Sequence, residues 1–283
     1  MTGESNGLPT QGSRRFALRS ATSEAWREPA VALEVLGLPF LLATADDALV
    51  AIERACDTKA GAVSVAFVNS HGLNLAYEDT AYRAVLRGFD FRLGDGVGVS
   101  LAALLKGERT PENLNGNDFS PDLLRLAVRR GWSVFLLGGR PGVAERAARK
   151  LVSDTPGLVI AGTQHGYFPL GSSSDIADRI RLAGAELLLV CLGNPAQEQW
   201  LADNLERTGA RLGTGVGAFL DIMAGDVPRA PRWMTRYGVE WAHRLAHEPR
   251  RLWRRYLIGI PLFVARILWA ELPGGDRRRD RHG

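Results

Sequence analysis

Short apolar runs alternate with amphipathic segments between Val31 and about Gly225. Four of these runs end at Gly or a polar residue and predict buried strands: VSVAFVNS (63–70), WSVFLLGG (132–139), LVIAGTQHGY (158–167) and ELLLVCLG (186–193). Because they are apolar throughout, we expect strands covered on both faces. The pattern therefore predicts an α/β fold with a Rossmann-like, mostly parallel sheet, flanking helices and a helical C-terminal appendage.

The segments between the strands carry helix signals. In SPDLLRLAVRRG, Ser120 is expected as the N-cap, Pro121 at the first helical position and Gly131 just past the end. GVAERAARKLVSD and SSSDIADRIRLAG predict two further helices by the same rules. After about Asp226 the strand pattern stops and only helix-forming sequence follows.

The shifts in composition and in apolar pattern along the chain predict four regions. They are a disordered lead-in over residues 1–30, an α/β core over 31–225, a helical appendage over 226–272 and a charged tail over 273–283. The apolar segment Tyr256–Leu272 is interrupted by Pro261 and Arg266 and falls short of the roughly 20 residues that span a bilayer. We therefore expect a helix that lies in the membrane interface.

Charge and cysteine usage narrow the function classes. From Arg229 to Arg281 the chain has thirteen Arg, no Lys and five acidic residues, together with four of its seven Trp. This composition favours a surface for phosphate or anionic lipid. Cys56 and Cys191 lie in apolar segments and predict small core residues, and the His and Cys spacing gives no metal-binding motif. No metal or other cofactor is expected.

Four polar residues and one glycine cluster at predicted strand ends and before one helix. In a parallel sheet such residues meet at one edge, where ligands bind. Each one alone has an ordinary structural explanation, such as an N-cap for Asp95 or a turn for Gly-Gly. Together they would provide amides, backbone N–H groups and two carboxylates, a set suited to a sugar nucleotide. These residues are Asn69, Asp95, Gly138, Gln197 and Asp221.

Two other function classes remain open at this point. The Gly-rich turns are compatible with a nucleotide-dependent oxidoreductase, although LLGGRPG lacks the G-x-G-x-x-G spacing and no acidic residue ends the next strand. The basic C-terminal segment is compatible with a lipid- or nucleic-acid-binding module. That second class leaves Asp95 and Gln197 without a role.

Eight segments, in order, resemble the WecG/TagA/CpsF glycosyltransferases (glycosyltransferase family 26) from about Val31 to Leu257. They are FVNSHGLNLA, LGDGVGV, NGNDFSPDLL, VFLLGGRPGVAERAARKL, HGYF, LGNPAQEQWL, GVGAFLDIMAGDVPRAPRWM and GVEWAHRLAHEPRRLWRRYL. The resemblance implies inverting transfer of a sugar from a UDP-sugar to a lipid-diphosphate-linked saccharide, without a metal, at the cytoplasmic face of the membrane. No nucleic-acid partner is implied, and a homo-oligomer is compatible with it.

The resemblance also implies roles for individual residues. Asp95 is the expected general base, and Asn69 and Gln197 are expected to bind the donor. The arginines expected to close over the diphosphate are Arg229, Arg232, Arg250, Arg251 and Arg254. The remaining candidates for substrate binding are His71, Gly138, Gly139, Glu198 and Asp221.

Two positions depart from many relatives of this family. Phe67 stands where many have Thr, and Ala196 stands where many have Lys. These departures remove a polar group and a cation from the expected site. The donor sugar therefore stays open between N-acetylmannosamine, its uronate and glucose, the last suggested by the likeness of FVNSHGLN to the exopolysaccharide branch.

Overall fold

The computed structural model describes residues 33–231, 234 and 240–270. Its centre is a six-stranded sheet in the order β4-β3-β8-β7-β5-β6, with every neighbouring pair parallel. A separate antiparallel hairpin, β1–β2, precedes it. The strands are β1 (Leu33–Val35), β2 (Leu38–Phe40), β3 (Val63–Val68), β4 (Phe91–Gly94), β5 (Ser133–Gly138), β6 (Val159–Gln164), β7 (Leu187–Cys191) and β8 (Leu212–Gly215).

Helices cover both faces of the sheet. One face packs against α1 (Ala45–Thr58), α5 (Gly116–Arg130), α6 (Val143–Asp154) and α9 (Phe219–Met223). The other packs against α2 (Ser70–Glu78), α3 (Thr80–Arg87), α4 (Val97–Leu105), α7 (Ser173–Ala183) and α8 (Ala196–Thr208). All five residues of β7 are buried, as expected for a strand enclosed by two helical layers. The expected α/β fold with a parallel sheet is thus confirmed.

The direction of the chain reverses between β5 and β7. The connection that leaves β5 runs outward to the edge strand β6, whereas the one that leaves β7 runs to β8 on the opposite side. Gly138 ends β5 at φ 140°, and a Cβ there would lie 2.3 Å from the carbonyl oxygen of Cys191. Only glycine fits this close approach. The two strand ends therefore form the topological switch point at which ligands of open α/β sheets bind.

The four strands predicted from apolar runs are all present. Two short strands of the sheet, β4 and β8, were not among them. The predicted start of α5 is wrong. Asn115 is the N-cap and accepts from the backbone N–H of Asp118, while Ser120 lies inside the helix and donates to the carbonyl of Gly116. Gly131 ends this helix as expected, in the left-handed conformation.

The C-terminal helices are α10 (Glu240–His247), α11 (Pro249–Trp253) and α12 (Gly259–Ala270), with a π-helical turn at Arg254–Ile258 between the last two. Phe263 and Ile267 of α12 are buried in the apolar layer that also contains α2 and α4. Arg266 donates to Asn74 Oδ1 at 2.9 Å and to Glu78 Oε1 at 2.5 Å. These contacts attach α12 to the core.

Other side chains of this segment face outward, including Leu257, Leu268 and Trp269, which are 57%, 50% and 45% exposed. Among the residues with described positions, no helix combines the length and the apolar character needed to cross a bilayer. The predicted lead-in (1–30) and tail (273–283) lie outside the described residues, as does Arg232.

Candidate active site

A cavity of about 1810 Å³ opens at the carboxyl edge of the sheet. The ends of all six strands contribute to it, and the C-terminal helices cover it. Several predicted site residues line it together: Asn69, His71, Asp95, Gly139, Gln197, Asp221 and Arg254. Two candidates stand behind this lining: Gly138, at the close contact with β7, and Glu198, which is 1% exposed.

The orientation of Asn69 is fixed by its place at the start of α2. As the N-cap, its Oδ1 accepts from the backbone N–H groups of His71 and Gly72, each at 3.1 Å. The amide nitrogen must then point the other way, and it donates to Asp95 Oδ2 at 3.2 Å. The backbone N–H of Asp95 donates to the carbonyl of Val68 at the end of β3. The end of β3 therefore holds Asp95 twice, by its backbone through Val68 and by its carboxylate through Asn69.

Burial and the neighbouring polar and charged groups shift the pKa of Asp95 in opposite directions. Burial raises the pKa of its carboxyl, while the hydrogen bond from Asn69 and the nearby guanidinium groups of Arg244 and Arg255 lower it. The pKa of the nearby His71 is lowered to about 4 by burial and by the Arg255 cation. At neutral pH this imidazole is uncharged. The pocket thus places the Asp95 carboxylate, a possible proton acceptor, close to cations from the C-terminal helices.

At the switch point, the loop Gly139–Arg140 enters the cavity just before α6. Gly142, the N-cap of α6, offers no side-chain acceptor to the first N–H groups of the helix. Such groups suit a phosphate or another anion. Asp221 lies nearby on α9, and burial is the main cause that raises its pKa, opposed by the Arg140 cation. This half of the cavity is suited to the phosphates of a nucleotide.

Gln197 and Glu198 open α8 beside the same cavity. Gln197 Oε1 accepts from the backbone N–H of Gly193 at 3.2 Å and of Gly217 at 3.1 Å. Its Nε2 donates to Glu198 Oε1 at 2.8 Å. Both ends of the amide are engaged within the protein, so Gln197 joins the loops that follow β7 and β8. The donor-binding role expected for Gln197 stays a prediction.

The ionisation of Glu198 is expected to make stability depend on pH. Burial raises its pKa from 4.5 to about 7. Since the folded pKa exceeds the unfolded one, this stabilising term is complete below pH 4.5 and is lost as the pH rises through about 7. Relative to Glu198→Gln, which cannot ionise, the wild type should lose about 3 kcal/mol of unfolding free energy across that range. Urea unfolding of both proteins at pH 5 and pH 8 measures it, and an equal difference at both values would contradict it.

The expected arginines divide into groups. Arg254 lines the cavity, whereas Arg229 forms an ion pair with Asp118 at the start of α5, and Arg250 is exposed on α11 away from the cavity. The side chain of Arg251 lies outside the described part of the structure, as does the whole of Arg232.

The lining residues that were not predicted from the sequence include Asn117, Arg140, Arg244 and Arg255. Among the described residues, buried Arg244 Nη2 and Asn117 Oδ1 have no hydrogen-bond partner, which leaves one cationic donor and one acceptor for a ligand. Arg244 and His247 stand three residues apart on one helical segment, as do Arg255 and Ile258 on the next part of the chain, and this spacing could have shown that each pair shares a face.

Across residues 33–231 and 240–270, no three His, Cys, Asp or Glu side chains form a group that could hold a metal ion. Independence from metals and other cofactors stays a prediction, since the sequence argument for it is untested.

Comparisons with known proteins identify the family of this chain. The profile of the glycosyl transferase WecG/TagA/CpsF family matches residues 33–277. An N-acetylglucosaminyldiphosphoundecaprenol N-acetyl-beta-D-mannosaminyltransferase of Bacillus subtilis (strain 168) is 32% identical over 215 residues, 76% of this chain and 82% of the relative. The protein of the same name from Bacillus spizizenii (strain ATCC 23059 / NRRL B-14472 / W23) is 32% identical over 196 residues, 69% of this chain and 75% of the relative. The chain belongs to the WecG/TagA/CpsF family of glycosyl transferases.

Proposed function

We propose that the protein is an inverting glycosyltransferase that moves a sugar from a UDP-sugar to a polyprenyl-diphosphate-linked saccharide in the synthesis of a cell-surface polymer or exopolysaccharide. The names of both relatives specify an N-acetylglucosaminyl-diphosphoundecaprenol acceptor and transfer of N-acetylmannosamine. The family match favours this function over the oxidoreductase and the basic binding module.

The observation that carries the proposal is the setting of Asp95. It is a carboxylate at the end of β4, oriented by the Asn69 amide and faced by two arginines in the cavity at the sheet edge. In the proposed single displacement, Asp95 accepts the proton of the acceptor hydroxyl as that oxygen bonds to the anomeric carbon. The bond from this carbon to the UDP oxygen breaks at the same time, which inverts the configuration.

The leaving UDP carries negative charge that must be stabilised. Arg244, Arg254 and Arg255 reach the cavity from the C-terminal helices, and Arg140 reaches it from the switch point. Guanidinium groups bind diphosphate oxygens in a bidentate manner and strengthen as charge develops in the transition state. In this mechanism the arginines do the work that a metal ion does in other transferases.

The position of the C-terminal helices supports peripheral attachment to the cytoplasmic face of the membrane. One side of α12 packs on the core through Phe263 and Ile267, whereas Leu268 and Trp269 are exposed. Exposed Leu and Trp beside arginines suit the lipid headgroup boundary. A lipid-linked acceptor would enter the cavity from this side.

The donor sugar is proposed to be N-acetylmannosamine, with glucose as the competing candidate. The names of both relatives support the first. Phe67 bears on the choice, because it lines the cavity with an apolar ring that packs against Phe119 at 5.7 Å between ring centroids. A donor that needs a hydrogen bond at this position would be disfavoured.

The test is a screen of UDP-sugars with the purified protein and a synthetic polyprenyl-diphosphate-N-acetylglucosamine. We expect UDP release with UDP-N-acetylmannosamine that depends on the acceptor, and a product with inverted anomeric configuration. A retained configuration would overturn the single displacement. Absence of transfer from every UDP-sugar, with acceptors that differ in their lipid-linked saccharide, would overturn the proposed function.

A further inference from the structure

The carboxyl group of Glu198 is the centre of a buried hydrogen-bond cluster. Its Oε1 accepts from Asn194 Nδ2 at 2.7 Å and from Gln197 Nε2 at 2.8 Å, and its Oε2 pairs with the Tyr82 hydroxyl at 3.1 Å. Glu198 and Tyr82 are each 1% exposed and stand behind the cavity wall. Asn194 and Gln197, in contrast, belong to the wall. Glu198 can therefore act on a substrate only through its partners.

One partner of Glu198, the amide of Gln197, links the loops that follow β7 and β8. Gln197 Oε1 bridges the backbone N–H groups of Gly193 and Gly217, which lie in these two loops and line the cavity. The fit around this amide is tight, because a Cβ at Gly215 would lie 2.8 Å from Gln197 Cδ and Nε2. A rotation of the Gln197 amide would break both bridges at once. Glu198 prevents that rotation, since it fixes the Nε2 end.

The other partner connects Glu198 with the half of the cavity that contains the proposed base. Tyr82 belongs to α3, and its hydroxyl lies 3.8 Å from the place of a Cβ on Gly72. Gly72 is in the first turn of α2, and its N–H donates to Asn69, which in turn donates to Asp95. The cluster therefore stands between the β7–β8 loops and the start of α2.

Resting on the proposed function, we propose that Glu198 is a positioning residue of the transferase. Its carboxyl group fixes the Gln197 and Asn194 amides and the Tyr82 hydroxyl, and thereby sets the spacing of the β7 and β8 loops relative to the α2 end that holds Asp95.

The chemistry of the cluster distinguishes this role from direct catalysis. A catalytic acid or base must exchange protons with substrate, whereas the Glu198 oxygens are enclosed by three polar partners. Tyr82 is the titratable group that contacts it. Burial raises the pKa of Glu198 to about 7, so both protonation states are populated at neutral pH. The protonated form has an acceptor at Oε1 and a donor at Oε2, and a glutamine side chain offers the same pair.

The kinetic test compares three variants of the full chain. Glu198→Ala should lower kcat/KM for the donor by about 100-fold, because a misplacement of about 1 Å can have this effect. Glu198→Gln should recover most of that loss, and Tyr82→Phe, which removes one hydroxyl, should lower kcat/KM less than Glu198→Ala. Glu206→Ala, an exposed carboxylate on the same helix that contacts the N–H of Ala62, serves as the matched control.

A second measurement needs no substrate. In hydrogen–deuterium exchange on the free proteins, Glu198→Ala should speed exchange of peptides that cover residues 192–197 and 215–219 by at least about tenfold. Glu198→Gln and Glu206→Ala should leave those peptides close to wild type. If Glu198→Ala does not fold, Tyr82→Phe is read in the same two assays and should show the same changes to a smaller extent.

Three outcomes would overturn the positioning role. The first is wild-type loop exchange in folded Glu198→Ala, or in Tyr82→Phe if the alanine variant does not fold. The second is an unchanged kcat/KM in that same variant. The third is a loss in Glu198→Gln as large as that in Glu198→Ala, which would make the ionised carboxylate itself essential. A wild type inactive with every UDP-sugar would overturn the proposed function, and this result differs from all three because it appears before any substitution.

Discussion

Replacement of Asp95 by asparagine is expected to lower kcat by about 10²–10⁴-fold, the usual contribution of a general base. Asparagine has nearly the same volume, and its Oδ1 can accept the hydrogen bond that Asn69 Nδ2 gives to Asp95 in the wild type at 3.2 Å. The local geometry should therefore survive, and only the capacity to take a proton is lost. Steady-state kinetics with UDP-sugar and lipid-linked acceptor give kcat, and the donor KM should change little.

The pH profile provides a second measure of the same group. Asp95 must be ionised to act as a base, so kcat/KM of the wild type falls as the pH drops through its folded pKa. Because burial raises that pKa, the fall should occur at a higher pH than for an exposed aspartate. Asp122→Asn, on the surface of α5 where it pairs with Arg125, is the control. Full turnover in Asp95→Asn would show that the base is a different residue.

Replacement of Arg244 by glutamine is expected to reduce kcat/KM for the donor by about 10²–10³-fold, as for the loss of one transition-state donor in other enzymes. Its Nη2 is buried without a hydrogen-bond partner among the described residues, and the guanidinium lies close enough to Asp95 to lower the pKa of that carboxyl. The variant should therefore bind the diphosphate less well. It should also move the acid limb of the pH profile to higher pH.

A lower kcat/KM together with an acid limb at higher pH would identify Arg244 as part of the mechanism. A loss of fold would lower the activity but would not raise the pKa of Asp95. Arg207→Gln serves as the matched control, since this exposed arginine of α8 pairs with Asp178 outside the cavity. Lysine at position 244 should keep part of the activity, because it retains the charge but not the bidentate geometry. An unchanged kcat/KM and acid limb in Arg244→Gln would remove this residue from the mechanism.

Apolar runs were sufficient to predict β3, β5, β6 and β7, and the signal is clearest for β7, because a strand enclosed by helices on both faces has little room for polar residues. The shorter strands β4 and β8 were harder to find. FRLG and LGTG contain few large apolar residues, since Gly213 and Gly215 make room for side chains of α8. Their place in the sheet follows from tertiary packing, which a single-sequence pattern does not contain.

The cavity edge was predictable for a similar reason. Parallel strands end on the same side, so Asn69, Asp95 and Asp221 were expected to meet, and they line one cavity. What could not be predicted is how each side chain is engaged. Gln197 has the expected place, but backbone N–H groups from two loops occupy its oxygen. Those contacts depend on loop conformations that only the folded chain shows.

The C-terminal arginines show the limit of composition as a guide. The cluster of Arg in EPRRLWRRY drew attention to Arg250, whereas Arg244, one helix earlier, reaches the cavity. Which arginine faces inward depends on the rotation of each helix about its axis. For α12, that rotation is fixed by the packing of Phe263 and Ile267 against the core and by the contacts of Arg266 with Asn74 and Glu78.

The π-helical turn at Arg254–Ile258 has a consequence for the tolerated length of this segment. A π turn contains one residue more than an α turn, and each α-helical residue rotates the chain by about 100°. Arg254 and Arg255, the first two residues of this turn, line the cavity, and Phe263 and Ile267 are buried in the core after it. Deletion of one residue here would turn α12 by about 100° relative to the arginines and separate the two contacts. The number of residues between these arginines and Phe263 is therefore constrained, and a change of even one residue would separate the two contacts. The residue types within the turn are free to vary.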